Sequence, residues 1–86
     1  MASIRLVLYS RPGCHLCDEM KEVVASLRAA HDFELDEVDI SQDADLENLY
    51  GQEIPVLFVN DRKAFKYRVS AAELRARLRR EERRWW

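Results

Sequence analysis

Two cysteines, Cys14 and Cys17, are the residues of this chain best suited to chemistry. A disulfide between them would close a very short ring, so it could restrict the unfolded chain only weakly and would stabilise a fold little. Residues three apart on a helix have Cα atoms roughly 5 Å from each other, within the range that a disulfide spans. The spacing therefore favours a reversible dithiol over a structural bridge.

Cys14 is predicted to lie at the N-terminus of a helix. The segment Ser10-Arg11-Pro12-Gly13 interrupts the apolar run before it, and apolar residues recur afterwards at helical spacing. Free N–H groups in the first turn of a helix stabilise a thiolate, and Arg11 and His15 could add positive charge. Cys17 should be less exposed. We therefore expect Cys14 to attack a disulfide and Cys17 to resolve the mixed disulfide that forms.

A C-x-x-C pair is also half of a zinc site, which leaves an alternative open. Zinc takes four ligands, and the sequence has no second cysteine pair. The two histidines, His15 and His31, are the other candidate ligands, and His15 lies inside the motif. We expect no metal site within one chain. A binding module whose thiols hold zinc or an iron–sulfur cluster in a dimer is the alternative to an enzyme.

The hydrophobic pattern predicts four strands and three helices in the order β-α-β-α-β-β-α. A change of phase between Leu35 and Val38 indicates a second strand that begins late or carries a bulge. This order predicts an α/β fold, a mixed four-stranded sheet flanked by helices on both faces. The predicted strands are 4–9, 33–40, 54–59 and 63–68, the last at an edge of the sheet. The first predicted helix is 15–30, and the second runs from an N-cap at Ser41 to near Tyr50, with Gly51 as its C′ residue. The third begins with the capping box Ser70-Ala71-Ala72-Glu73.

Length and charge set the remaining expectations. A chain of 86 residues has room for one domain, 1–86, in which the residues after about 80 form a basic C-terminal tail. Up to Asp61 there are 13 acidic and 4 basic residues, and from Arg62 onward 3 acidic and 10 basic. We interpret the basic part as a solvated helix face, and the Trp85-Trp86 end as packed or frayed, so we expect no nucleic-acid or membrane partner. Without a signal-peptide pattern, we predict a cytoplasmic monomer.

Two segments together indicate a family. The first is Tyr9-Ser10-Arg11-Pro12-Gly13-Cys14-His15-Leu16-Cys17, and the second is Ile54-Pro55-Val56, with Pro55 41 positions after Cys14. With the element order, they resemble the glutaredoxin and thioredoxin superfamily over about residues 4–80, and most of all the glutaredoxin-like branch of small bacterial proteins.

The resemblance implies a thioredoxin-like fold and a thiol–disulfide oxidoreductase. Its substrates would be disulfides of proteins or small thiols, and its reductant is not identified by the sequence. The resemblance further implies that the Ile54–Pro55 bond is cis and faces the reactive thiol, and that the backbone of Ile54 pairs with an extended substrate.

Departures from the family pattern bear on the substrate. Glutaredoxins carry Pro-Tyr between the cysteines and a glycine pair after the last strand, whereas this chain has His15-Leu16 and Lys66-Tyr67-Arg68-Val69-Ser70. We therefore expect no cofactor, and glutathione stays open only as a co-substrate whose carboxylate Arg68 could receive. A charged His15 beside Cys14 would make the pair more oxidising.

Overall fold

The computed structural model describes residues 4–83, which form a four-stranded sheet and three α-helices. One turn of 3₁₀ helix, Ile40–Gln42, precedes the second α-helix. The strands are β1 (Ile4–Ser10), β2 (Phe33–Asp39), β3 (Val56–Val59) and β4 (Arg62–Lys66), and the helices are α1 (His15–Ser26), α2 (Ala44–Tyr50) and α3 (Ala71–Arg83).

The sheet is mixed, with strand order β2-β1-β3-β4. β1 pairs in parallel with β2 and antiparallel with β3, and β3 pairs antiparallel with the edge strand β4. The nearly continuous apolar sequence of β1 is typical of a strand that is covered on both faces. The α/β fold class and the element order predicted from the sequence are confirmed.

The helices cover both faces of the sheet. Alternate residues of β1, Leu6 and Leu8, point into a core to which α1 and α3 both contribute. On the opposite face, α2 packs through Tyr50 against Tyr9 of β1 and Phe58 of β3. The buried residues of α1 and α3 in the core are Met20, Val24, Leu74 and Leu78.

Several predicted boundaries were wrong. α1 ends at Ser26 rather than near residue 30, because tighter bonds follow, such as that from the Leu27 N–H to the Val24 carbonyl. β2 pairs with β1 without a register shift from Phe33 onward, so the strand neither begins late nor bulges. Leu35 and Val38, three residues apart, lie on opposite faces of β2, and both are half-buried because an edge strand is only partly covered.

The caps of α2 also differ from the prediction. Asp43, not Ser41, is the N-cap: its carboxylate accepts hydrogen bonds from the N–H groups of Asp45 and Leu46. Ser41 instead donates through its N–H and hydroxyl to Asp39, which lowers the pKa of that carboxyl. Gly51 is the C-cap with right-handed φ of −55° rather than a left-handed C′ residue.

β3 and β4 are shorter than predicted, whereas the last helix begins as the sequence indicates. In the capping box the Glu73 N–H donates to the Ser70 hydroxyl, and the Ser70 N–H donates to the Glu73 carboxylate, both at 3.0 Å. α3 continues to Arg83, past the predicted beginning of the tail near residue 80. The predicted Trp85-Trp86 end lies outside the described residues. Within 4–83, no helix is long and apolar enough to cross a membrane.

A buried carboxylate, that of Glu81, ties α3 to the sheet. It accepts hydrogen bonds from Asn60 Nδ2 at 3.0 Å and from Arg77 Nε at 3.1 Å. Asn60, in the turn after β3, also accepts a bond from the Arg5 N–H of β1 at 2.9 Å. A buried carboxylate costs free energy unless it is paired, and these hydrogen bonds offset the cost of burying Glu81.

Replacing Glu81 by alanine should lower the free energy of unfolding by about 2–3 kcal/mol, because the Asn60 amide and the Arg77 guanidinium lose their acceptor. Urea unfolding of the disulfide-bonded protein measures the change. Arg79→Ala, an exposed position of the same helix, is the control and should change the free energy by less than about 0.5 kcal/mol. Equal effects of the two substitutions would contradict a role for the Glu81 contacts.

Candidate active site

Cys14 and Cys17 form a disulfide at the N-terminus of α1. Their Cα atoms are 5.2 Å apart, as expected for residues three apart at a helix start. Cys14 is the N-cap of α1, and its Sγ accepts a hydrogen bond from the Cys17 N–H at 3.2 Å. Cys14 is half-buried and Cys17 is 1% exposed, so Cys14 is the more accessible of the two residues.

A tight turn delivers Cys14 from the end of β1 to the start of α1. The Cys14 N–H donates to the Arg11 carbonyl at 3.3 Å, which closes the turn. Gly13 has φ of +80°, in the left-handed region that side chains disfavour. Among residues 4–83, no atom would obstruct a Cβ at Gly13, so it is the backbone conformation that favours glycine there.

A small apolar cluster encloses the disulfide on the side away from solvent. Cys17 packs with the buried side chains of Ile40 and Ile54. The half-buried residues packed against this group, besides Cys14, are Tyr9, Leu46 and Tyr50. Burial among these apolar side chains disfavours a charge on Cys17.

Stacked aromatic rings seat α2 beside the cysteines. The Tyr9 and Tyr50 ring centroids are 4.7 Å apart, and Phe58 meets Tyr9 edge-on at 5.4 Å. Burial, with the charges of Tyr50 and Asp61, raises the pKa of Tyr9 above its ordinary value. The rings fix the face of α2 that is turned to the disulfide.

The peptide bond between Ile54 and Pro55 is cis. Both residues are buried, and the segment is held by Tyr67, whose N–H donates to the Pro55 carbonyl at 2.9 Å and whose hydroxyl donates to the Gln52 carbonyl at 3.1 Å. Neither the N–H nor the carbonyl of Ile54 takes part in a turn or loop backbone bond among residues 4–83. Ile54 thus lies in the apolar cluster with Cys17, and its backbone groups have no described turn or loop partner.

Arg11 is paired across the site with Glu47 of α2. The guanidinium forms a hydrogen-bonded ion pair with Glu47 Oε1, and both side chains are about two-fifths exposed, at 40% and 39%. The other carboxylate oxygen, Oε2, is buried and has no hydrogen-bond donor among the described residues. The positive charge of Arg11, which was predicted to act on Cys14, is therefore balanced by the negative charge of Glu47.

The other two predicted site residues, His15 and Arg68, are both exposed. His15 is 89% exposed, and its Nε2 lies 3.7 Å from Glu19 Oε2, one turn along α1. Arg68 is exposed in the loop between β4 and α3. It lines a cleft of about 130 Å³ between this loop and α1, together with Leu16, Glu19, Met20, Val23, Tyr67 and Val69.

Sequence reasoning missed the contribution of α2. Leu46 and Tyr50 are one helical turn apart, a spacing that could have indicated an apolar face. Glu47 and Tyr67 gave no sequence signal, because their partners are set by the tertiary fold. Among residues 4–83, no group of three or more His, Cys, Asp or Glu side chains is placed to hold a metal ion.

Two solved structures of bacterial proteins are similar to this chain over most of its length. A protein from X. campestris, structural-genomics target XcR50, is 40% identical and matches with a TM-score of 0.72 over 87% of this chain and 96% of its own. Protein Ne2328 from Nitrosomonas europaea is 34% identical, with a TM-score of 0.77 over 91% of this chain and 94% of its own.

More distant likeness is confined to the fold. A mutant thioredoxin from Halobacterium salinarum is 20% identical, with a TM-score of 0.63 over 91% of this chain and 74% of its own. The sheet and helices described above are therefore thioredoxin-like. The model of the glutaredoxin-like domain (DUF836) matches residues 5–79, nearly the whole chain. The chain belongs to the glutaredoxin-like family.

Proposed function

We propose that this protein is a thiol–disulfide oxidoreductase in which Cys14 is the nucleophile and Cys17 the resolving thiol. The observation that carries the proposal is the disulfide between the half-buried N-cap residue Cys14 and the buried Cys17 in the first helical turn. Membership of the glutaredoxin-like family supports the same chemistry.

The reaction begins with the dithiol, which an external thiol reductant regenerates. The Cys14 thiolate attacks a substrate disulfide; the substrate S–S bond breaks, and one substrate thiolate leaves and takes a proton. Cys17 then loses its proton and attacks Cys14 Sγ, which releases the second substrate thiol and restores the Cys14–Cys17 disulfide. Two electrons pass from the protein to the substrate.

The N-cap position supports Cys14 as the attacking group. In the structure the Cys17 N–H already donates to Cys14 Sγ, and the same donor would stabilise a thiolate there. The buried, apolar position of Cys17 favours its neutral thiol until the mixed disulfide forms.

Ile54 and Pro55 are proposed to align the substrate. Ile54 lies in the apolar cluster with Cys17, and its backbone N–H and carbonyl have no described turn or loop partner. An extended substrate could pair with these groups while its sulfur meets Cys14. Arg11, His15 and Arg68 remain predicted substrate-binding residues, and glutathione, a cytoplasmic location and a monomeric state remain predictions too.

The alternative of a metal-binding module uses the same two thiols. Because no further ligand group joins them among residues 4–83, zinc or an iron–sulfur cluster would need ligands from a second copy. Metal analysis and the absorption spectrum of the purified protein distinguish the two functions: a stoichiometric metal that shields both thiols would support the module.

In the reduced protein, Cys14 should react with iodoacetamide at least about tenfold faster than Cys17, because it is accessible and its thiolate is stabilised. Quenched samples analysed by peptide mass spectrometry give the two rates. Cys14→Ser and Cys17→Ser variants serve as matched controls for the assignment. Equal rates, or faster reaction at Cys17, would contradict the division of roles.

Equilibration in buffers of graded thiol–disulfide potential, followed by alkylation, should show one reversible two-electron transition. The transition should disappear in Cys14→Ser, which can no longer form the internal disulfide. Counting the alkylated thiols by mass gives the potential. If both thiols of the metal-free protein stayed unreactive to the buffer across the whole range, the oxidoreductase proposal would fail.

A further inference from the structure

We propose that Glu47 sets the charge of the substrates this site accepts, an inference that rests on the proposed oxidoreductase function. By occupying the Arg11 guanidinium, Glu47 disfavours disulfides that carry a carboxylate near the reacting sulfur and favours neutral or cationic ones.

Arg11 is the cationic residue closest in sequence before Cys14, and its backbone is hydrogen-bonded to that of Cys14. Its carbonyl accepts the Cys14 N–H, so its Cα cannot move far from the nucleophile. Its side chain is 40% exposed, which leaves it in reach of a molecule at the disulfide. Unpaired, this guanidinium would be a binding group for a carboxylate.

Glu47 lies on the face of α2 that is turned to the cysteines. Its neighbour Leu46 and the residue of the next turn on the same side, Tyr50, both pack in the cluster around Cys17. Ile54 belongs to that cluster as well. A substrate that lies across Cys14 and Ile54 therefore passes beside the Arg11–Glu47 pair.

The Glu47 carboxylate changes the charge that a substrate meets beside Arg11. Oε1 holds the guanidinium, and the buried Oε2 has no donor among the described residues. Because Oε1 holds the guanidinium, Arg11 is not free to bind an incoming carboxylate, which also meets the like charge of Glu47; a neutral or ammonium-bearing disulfide meets no such repulsion. Further acidic side chains, Asp43 and Asp45, lie at the start of α2.

Arg68 is the cation that could act against this selection. It is exposed in the loop after β4 and lines the cleft beside α1 with Glu19. Its contribution is separable from that of Arg11, because Arg68 has no described ion pair with Glu47. Arg68→Gln should slow reaction with anionic disulfides, and the effect of changing Glu47 should persist in that background.

The test uses three small disulfides that differ in charge: cystamine, bis(2-hydroxyethyl) disulfide and 3,3′-dithiodipropionate. Each is mixed with the reduced protein, and formation of the Cys14–Cys17 disulfide is followed by acid quench, alkylation and mass spectrometry. The readout is the ratio of the rate constant for dithiodipropionate to that for cystamine. Comparing this ratio between variants cancels the intrinsic reactivities of the reagents.

Glu47→Gln should raise the ratio about tenfold, because it frees the Arg11 charge, and the rise should shrink in high salt. The double variant Arg11→Gln/Glu47→Gln should lose the rise. Asp45→Asn, which makes the same charge change on the same helix, is the control and should stay within about twofold of the wild type because its charge is exposed and screened.

Each other outcome decides against the proposal. An unchanged ratio in Glu47→Gln, even with all three rates lowered together, would show a structural role only. A rise that persists in the double variant would show that Arg11 is not the cause. Failure of the wild-type protein to react with the neutral disulfide would instead overturn the proposed oxidoreductase function, whatever the ratio.

Discussion

The pairing of β1 on both of its edges is the constraint on which the site depends. β1 is hydrogen-bonded to β2 on one side and to β3 on the other, and its Leu6 and Leu8 side chains are fully buried. The C-terminal end of such a strand has little freedom to move. The turn that follows has room for one tight reversal at Gly13, and this reversal places Cys14 at the first N–H groups of α1. The chemistry of the thiol is therefore a consequence of where a buried strand ends.

The second half of the site comes from segments distant in sequence. Stacking of Tyr50 on Tyr9 seats α2 over the same strand that delivers Cys14. Tyr67, at a left-handed φ of 68°, holds the segment that contains Pro55. These contacts place an apolar cluster around one sulfur and leave the other accessible. The asymmetry between the two thiols thus arises from packing rather than from the motif itself.

The sequence was informative where the signal was local. Neighbouring residues determine the apolar face of α1, the turn at Pro12-Gly13 before Cys14 and the Ser70–Glu73 capping box. The structure has all three where they were predicted. The end of α1 was not predictable from residues 27–30, which favour helix. Just beyond that end, His31 Nδ1 lies 3.1 Å from Glu82 Oε2 of α3, a contact across 51 positions that helix propensity does not indicate. The Arg11–Glu47 pair is non-local in the same way, and local patterns cannot indicate it.

Trapping the mixed disulfide tests the central claim, that Cys14 attacks and Cys17 resolves, most directly. Reduced Cys17→Ser and Cys14→Ser variants are each mixed with bis(2-hydroxyethyl) disulfide, and the intact masses are followed with time. The account predicts that Cys17→Ser rapidly accumulates one substrate half bound at Cys14, whereas Cys14→Ser stays largely unmodified over the same period. Rapid modification of Cys17 in Cys14→Ser, with Cys14 unmodified in Cys17→Ser, would contradict the account.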